Sequence, residues 1–130
     1  MNFGLLQSVR FGVATLLLSS LCACVTPTKP LYYWGNYQPQ VYAYFKGDGE
    51  SPEAQLSKLE MNAQQAQARG EALPPGFNAH LGLLYLKAGQ AGKARSAWLT
   101  EKAQFPESAA YMDFLLNKLQ QNAQQNKVKS

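Results

Sequence analysis

Few residues of this chain have the type and spacing that chemistry requires. The single histidine, His80, lies beside Leu81 in a helical pattern with no cysteine or second histidine near it, so we expect a packing or surface residue instead of a metal ligand. The Gly-Asp-Gly sequence at 47–49 lacks the strand context of a phosphate loop and indicates a turn. Six of the eight carboxylates fall mainly on expected polar faces or helix starts and do not converge as an acid/base pair: Glu50, Glu53, Glu60, Glu101, Glu107 and Asp113. We therefore expect no enzyme, no cofactor, no metal and no small-molecule substrate.

Composition and charge restrict the remaining classes. The chain has 130 residues, of which 46% are hydrophobic, which suits one small domain. The 12 lysines and arginines outnumber the 8 acidic residues and give a formal net charge of +4, but they are scattered singly along the sequence. Because nucleic-acid binding needs a basic patch, we expect no nucleic-acid partner.

The two cysteines follow a segment typical of export signals. Eleven uncharged residues, from Phe11 to Leu21, come after Arg10 and lead to Cys22 and Cys24. A membrane-spanning helix needs roughly 20 apolar residues, so this segment is too short to remain in a bilayer. We expect a secretory signal peptide that is cleaved.

The sequence Leu21-Cys22-Ala23-Cys24 resembles the bacterial lipobox. That resemblance implies that residues 1–23 are removed, that Cys24 is acylated, and that residues 24–31 form a lipidated N-terminus and tether. Val25 follows the cysteine where Asp would favour the inner membrane, so the resemblance implies an outer-membrane anchor with the domain facing the periplasm. The alternative is a Cys22–Cys24 disulfide or two buried thiols, and the disulfide would close a strained ring.

Residues 32–119 have the periodicity of an all-α domain. Pro39 to Lys46 predicts a short helix, and Ser51-Pro52 and Arg69-Gly70 predict the start and end of a longer one. Ser108 to Leu119 predicts a closing helix, whose apolar residues are Tyr111, Phe114, Leu115 and Leu119. Residues 120–130 are polar and of low complexity, so we expect this tail to fray or be disordered.

The segment from Phe77 to Pro106 resembles a tetratricopeptide repeat, a pair of antiparallel helices. The residues that match and that we expect to form the repeat core are Leu81, Gly82, Tyr85, Ala94, Trp98 and Pro106. Gly82 and Ala94 are small where two helices would cross closely. Asn78 and Glu101 depart from the pattern. The fold class that follows is a set of tetratricopeptide-like hairpins, with residues 32–69 as a degenerate first hairpin because one repeat needs neighbours.

Seven aromatic residues fall between Tyr32 and Phe45, an unusual density. One interpretation is that the rings cover a domain too small to bury its own faces. The other is that some of them contact a partner, and the candidate residues are Tyr33, Trp34, Tyr37 and Tyr42. Helical spacing places Val41, Tyr44 and Phe45 on one face, which we expect to be the inner one, and directs Tyr42 elsewhere.

The chain from about residue 31 to residue 119 resembles a family of short proteobacterial outer-membrane lipoproteins of unknown function. The resemblance rests on Tyr33-Trp34-Gly35 with Tyr37, on Tyr42 to Phe45, on Pro74-Pro75-Gly76 and on Phe105 to Ser108. It implies a neighbouring gene for a lipoprotein similar to the curli secretion pore, which becomes a candidate partner, and it implies no catalytic residue.

These features favour a membrane-tethered, non-catalytic protein that acts as a binding adaptor or assembly factor for another envelope protein. Two alternatives remain open at this point. One is a pilotin-like carrier that escorts a secretin or secretion pore to the outer membrane. The other is a lipoprotein that binds cell-wall glycan through its aromatic segment.

The lipobox gives a direct test. Cys24→Ser should leave an unprocessed precursor and remove the protein from the outer-membrane fraction, because the sulfur is the acyl acceptor. Gel mobility and membrane fractionation measure both effects, and Cys22→Ser is the matched control that should change neither. Normal processing of the Cys24→Ser protein would contradict the lipoprotein interpretation.

Overall fold

The computed structural model of this protein describes residues 30–47 and 50–128. The expected signal peptide, both cysteines and residues 24–29 of the expected tether lie outside the described residues. The chain divides into two units, Met1–Pro30 and Leu31–Ser130, and every helix discussed below belongs to the second unit. Among the helices of the described residues, none combines the length and the apolar character needed to cross a membrane.

Five α-helices account for most of the described residues. In chain order they are α1 (Tyr37–Lys46), α2 (Pro52–Arg69), α3 (Phe77–Lys87), α4 (Ala91–Gln104) and α5 (Ala109–Val128), with a 3₁₀ turn at Pro106–Ser108 before the last. The extended pairing found in the described part is one isolated parallel bridge, between Tyr32 and Ala72. The predicted all-α fold class is therefore confirmed.

Local signals set the ends of α2 as the sequence predicts. The Ser51 hydroxyl accepts the Ala54 N–H at 3.3 Å, which caps one of the free donors of the first turn. Pro52 occupies the first helical position, where its missing N–H costs nothing. Gly70 ends the helix with φ of 62°, a left-handed conformation that glycine adopts without strain.

Helix α1 begins at Tyr37, two residues earlier than the predicted start at Pro39. The Tyr37 N–H donates to the Trp34 carbonyl at 2.9 Å, so the preceding turn leads directly into the helix. Pro39 still lies in the first turn, where proline is tolerated.

Each helix packs against the next one in the chain, and α3 takes part in both hydrophobic clusters. One cluster joins α2 to α3 through Leu56, Leu59, Phe77, Leu81 and Leu84. The other joins α4 to α5 through Ala94, Trp98 and Met112, with Ala79 and Leu83 of α3 packed against it. Tyr85 contacts both clusters, so α3 is the central element of the core.

Polar contacts also link the three middle helices. The Tyr85 hydroxyl donates to Oε1 of Glu60 on α2 at 2.7 Å, and Nζ of Lys93 on α4 lies 3.8 Å from the same oxygen. Burial, the hydrogen bond to Glu60 and the charge of that carboxylate raise the pKa of Tyr85 to about 12. The phenol therefore remains protonated and keeps its hydrogen bond at neutral pH.

The ring of Trp98 on α4 lies directly over Gly82 of α3. A β-carbon on Gly82 would be 2.3 Å from Nε1 of that ring, so only glycine fits without a shift. The indole is fully buried and donates from Nε1 to the Ala79 carbonyl at 3.0 Å. The expected pairing of a small residue with a close helix crossing is present, with Trp98 directly against the glycine.

The closing helix differs from the prediction in which residues it buries. Met112 is the fully buried residue of α5, and Leu115, Leu116 and Leu119 pack beside it. Tyr111 and Phe114, which the sequence grouped with the apolar residues of this helix, are 54% and 53% exposed. The prediction is confirmed for Leu115 and Leu119 and is wrong for Tyr111 and Phe114, because the buried stripe of α5 is centred on Met112 and Leu116.

Two further expectations need correction. Pro106, placed in the repeat core from the sequence, is exposed and instead begins the 3₁₀ turn. The polar segment after Leu119, expected to fray or be disordered, continues α5 as far as Val128. Gln, Asn, Ala and Lys oppose helix formation only weakly, so a helix already nucleated on Met112 and Leu119 can extend through them.

The contact at Gly82 predicts opposite effects for two glycine substitutions. Gly82→Ala should destabilise the domain by about 1–3 kcal/mol, because the new methyl group collides with a buried ring. Gly92→Ala, in the open first turn of α4 where a β-carbon meets nothing within 4 Å, should instead be neutral or stabilising. Urea unfolding of both purified variants measures the difference, and equal stabilisation by the two alanines would rule out the tight crossing.

Candidate functional site

Three contacts of Tyr33 hold the segment before α1 against α2 and the loop that follows α2. Its N–H donates to the Ala72 carbonyl at 2.8 Å and its hydroxyl donates to Oε1 of Gln65 at 2.7 Å. The guanidinium carbon of Arg69 lies 4.8 Å from the centre of the ring, a cation–π distance. The hydroxyl and the ring face of Tyr33 are therefore both engaged in contacts within the domain.

The next turn is held by a buried asparagine, Asn62 of α2. Its Oδ1 accepts the Asn36 N–H at 3.2 Å and its Nδ2 donates to the Trp34 carbonyl at 3.3 Å. Gly35 lies between these two residues with φ of +42°, and a β-carbon there would be 1.7 Å from the asparagine oxygen. The glycine is therefore required both by its backbone conformation and by the close approach of Asn62.

Tyr37, the first residue of α1, points into the molecule. Its ring packs 5.2 Å from that of Phe77 and 6.3 Å from that of His80, measured between centroids. Burial and the charge of Glu101 raise the pKa of its hydroxyl. Tyr37 thus connects the aromatic segment to the start of α3.

Glu101 of α4 is 1% exposed and caps α3 from a neighbouring helix. One carboxylate oxygen accepts the Gly76 N–H at 2.6 Å and the other accepts the Asn78 N–H at 3.2 Å. The amide of Asn78 in turn donates to Oε1 of Gln104 at 3.2 Å. A negative charge at a helix N-terminus satisfies free N–H groups and interacts favourably with the helix dipole. The sequence suggested that Glu101 lies on a polar face or at a helix start of its own, but the structure buries its carboxylate.

His80 lies under the aromatic residues of α1. Its ring is 4.9 Å from that of Tyr44, in an edge-to-face arrangement, and the residue is 5% exposed. Burial, and to a lesser extent the charge of Lys87, lower its pKa to about 4, so the imidazole is neutral at neutral pH. Its Nε2 has no hydrogen-bond partner among the described residues. The packing role expected for His80 matches this environment.

One side of α1 remains open to solvent and forms what we call the α1 aromatic face: Trp34, Val41, Tyr42 and Phe45. Trp34 is 42% exposed, Tyr42 67% and Phe45 75%. Together with Tyr37 and Gln38 they line a shallow groove of about 460 Å³. An apolar surface that stays exposed in this way is typical of an interaction site.

A second exposed aromatic surface lies on α5. Tyr111 and Phe114, the α5 aromatic pair, stack with centroids 6.4 Å apart and an angle of 15° between their planes. Lys118 lies one turn further, with Nζ 5.8 Å from the centre of the Phe114 ring. Both rings are more than half exposed.

The four proposed partner-binding residues occupy two different environments. Tyr33 and Tyr37 are half-buried and engaged in the internal contacts described above, whereas Trp34 and Tyr42 are exposed. The expectation that Phe45 lies on the inner face of α1 is wrong, because it is the most exposed ring of the segment. Phe45 points outward because Tyr37, Gln40 and Tyr44 already cover the core-facing stripe of this short helix.

Sequence reasoning missed the residues that hold this region together, Asn62 and Glu101. Asn62 lies in a Gln-rich stretch of α2 and nothing distinguishes it from its exposed neighbours in the sequence. Glu101 and Asn78 both depart from the repeat pattern in the sequence. That shared departure is the one feature of the sequence that could have indicated a polar contact between them. Across residues 30–47 and 50–128, no cluster of three or more His, Cys, Asp or Glu residues could hold a metal ion.

Comparison with known protein families identifies the family to which this chain belongs. Residues 31–115 match the model of a family described as a domain of unknown function, DUF4810, and the chain belongs to that family. The function of this family is unknown, in agreement with the resemblance drawn from the sequence to a family of unknown function. Neither a search of curated proteins nor a search of solved structures gives a match.

The Glu101 cap predicts a large stability effect at one position. Glu101→Ala should cost about 3 kcal/mol, because the buried N–H group of Asn78 and the partly buried one of Gly76 would be left unpaired. The exposed Glu107 serves as control, and Glu107→Ala should cost less than about 1 kcal/mol. Equilibrium urea unfolding gives both values, and an equal, small cost at the two positions would contradict the capping role.

Proposed function

We propose that this protein is a lipid-anchored outer-membrane lipoprotein that faces the periplasm and acts, without catalysis, as a binding adaptor or assembly factor for another envelope protein. The lipobox at 21–24 supports the anchor. The all-helical domain that follows supports binding, since neighbouring helices present side-chain surfaces to peptides and to other helices.

A tetratricopeptide-like architecture is part of this proposal. The spacing of the core residues of α5 supports it: Met112, Leu115, Leu116 and Leu119 each follow by 34 residues a residue of α3, namely Asn78, Leu81, Gly82 and Tyr85. Thirty-four residues is the period of tetratricopeptide repeats. On this interpretation α5 is the first helix of the repeat that follows α3 and α4.

The observation that carries the binding role is the exposed α5 aromatic pair. Terminal helices of repeat arrays need a polar outer face to remain soluble. Tyr111 and Phe114 instead expose more than half of their surface on α5, the last helix of the described residues, where a further helix of an array would pack. Exposed, clustered aromatic residues are typical anchors of protein interfaces. A helical segment of an envelope protein, with the curli-secretion-like lipoprotein as first candidate, is the partner that fits this position.

Site-specific crosslinking in living cells tests this role. A photoreactive phenylalanine analogue at Tyr111 should give a discrete crosslinked product in the envelope, whereas the same analogue at Ser96, an exposed residue of α4, should not. Mass spectrometry of the product identifies the partner and separates an adaptor from a carrier of a secretin.

Substitution of both residues of the α5 aromatic pair tests the same role by loss of partner binding. Tyr111→Ser combined with Phe114→Ser should weaken partner binding by about 2 kcal/mol or more, as the loss of aromatic anchors does. The melting temperature should change little because both side chains are exposed. Unchanged partner recovery with an intact fold would remove the α5 aromatic pair from the binding surface.

A further inference from the structure

The α1 aromatic face is a second exposed surface, distinct from the α5 aromatic pair, and the proposed function leaves it without an occupant. Its three exposed rings line one groove and include an indole and a phenol. Trp and Tyr have an apolar body and a polar tip, the combination favoured where hydrocarbon meets water at a membrane surface.

Charge is the second feature of this region. Residues 30–47 contain no Asp or Glu, and Lys46, the last residue of α1, is the one ionisable cation in that range. Its Nζ lies 5.8 Å from the centre of the Tyr42 ring, at the border of the aromatic face. The residues that line the groove include no carboxylate, so the groove itself presents no negative charge to anionic lipid headgroups.

The covalent length of the chain is the third feature. Six residues, Cys24 to Lys29, separate the proposed acylation site from Pro30, where the described residues begin. Even fully extended, they span no more than about 22 Å. Trp34 follows Pro30 by four residues, so the lipid anchor holds the aromatic face near the membrane whatever path the tether takes.

We infer that the occupant of the α1 aromatic face is the bilayer surface itself: Trp34, Tyr42 and Phe45 insert at the level of the headgroups and fix how the domain lies on the membrane. This inference rests on the proposed lipid anchor. An interfacial helix of this kind buries its apolar side about 5–10 Å into the boundary between headgroups and acyl chains. The first helix then contacts the membrane, and the last helix remains free for a protein partner.

Tryptophan quenching by spin-labelled lipids tests the inference on the full processed chain. The lipidated protein is reconstituted into vesicles of phosphatidylethanolamine and phosphatidylglycerol that carry a quencher either near the headgroup or deep in the acyl chain. The chain has two tryptophans, and Trp98 is fully buried, so it provides an internal reference. We expect quenching of the Trp34 emission, stronger with the shallow quencher than with the deep one.

Three variants show which residues the quenching of the tryptophan emission depends on. Trp34→Phe should abolish the quenching, and Tyr42→Ser with Phe45→Ser should strongly reduce it, because both remove ring area from the same face. The control is Tyr111→Ser with Phe114→Ser, which removes two rings of comparable exposure from α5 and should leave the quenching as in the wild type.

The possible failures are distinguishable. Partitioning of the protein into Triton X-114 reports the lipid anchor, so its absence overturns both the proposed function and the docking that rests on it. An anchored protein whose Trp34 emission is not quenched, or is quenched equally in the Tyr42→Ser, Phe45→Ser variant, overturns the docking alone. A protein partner crosslinked through Trp34 in cells, with no quenching in vesicles, would assign the face to that partner.

Discussion

The buried carboxylate of Glu101 is the interaction on which the rest of this small domain depends. It comes from α4, caps the first turn of α3 through the Gly76 and Asn78 N–H groups, and adds its charge beside the Tyr37 hydroxyl. One side chain thereby fixes where α3 begins, and α3 is the helix that both hydrophobic clusters share. Because α3 has no side-chain cap of its own, its start is defined by the partner helix and not by its local sequence.

The parts of the fold that sequence predicts are those decided by neighbours along the chain. Ser51, Pro52 and Gly70 set the ends of α2 through contacts within one turn, and Leu56 and Leu59 follow from helical periodicity. The parts that it mispredicts depend on residues far apart in sequence. Phe45 is exposed because other residues of α1 already cover the core, and the side of α5 that is buried depends on where Trp98 and Ala94 lie. No local pattern contains that information.

The candidate site likewise has features that the sequence predicts and features that depend on residues far apart in the chain. The density of rings between Tyr32 and Phe45 predicts an unusual surface, but it does not separate rings that hold the scaffold from rings that remain free. The division is made by Asn62, which fixes the turn before α1, and by Arg69 and Gln65, which engage Tyr33. What remains exposed is one aromatic surface on the first helix and one on the last. We propose that the former contacts the membrane and the latter a protein partner.

We propose that a lipid on Cys24 holds this domain at a membrane, and the mass of the mature protein measures that modification. Protein extracted from the envelope in detergent should begin at Cys24, with the first 23 residues absent and with the added mass of a diacylglyceryl group and an amide-linked acyl chain. A chain that begins at Met1, or at another residue with an unmodified Cys24, would contradict the account.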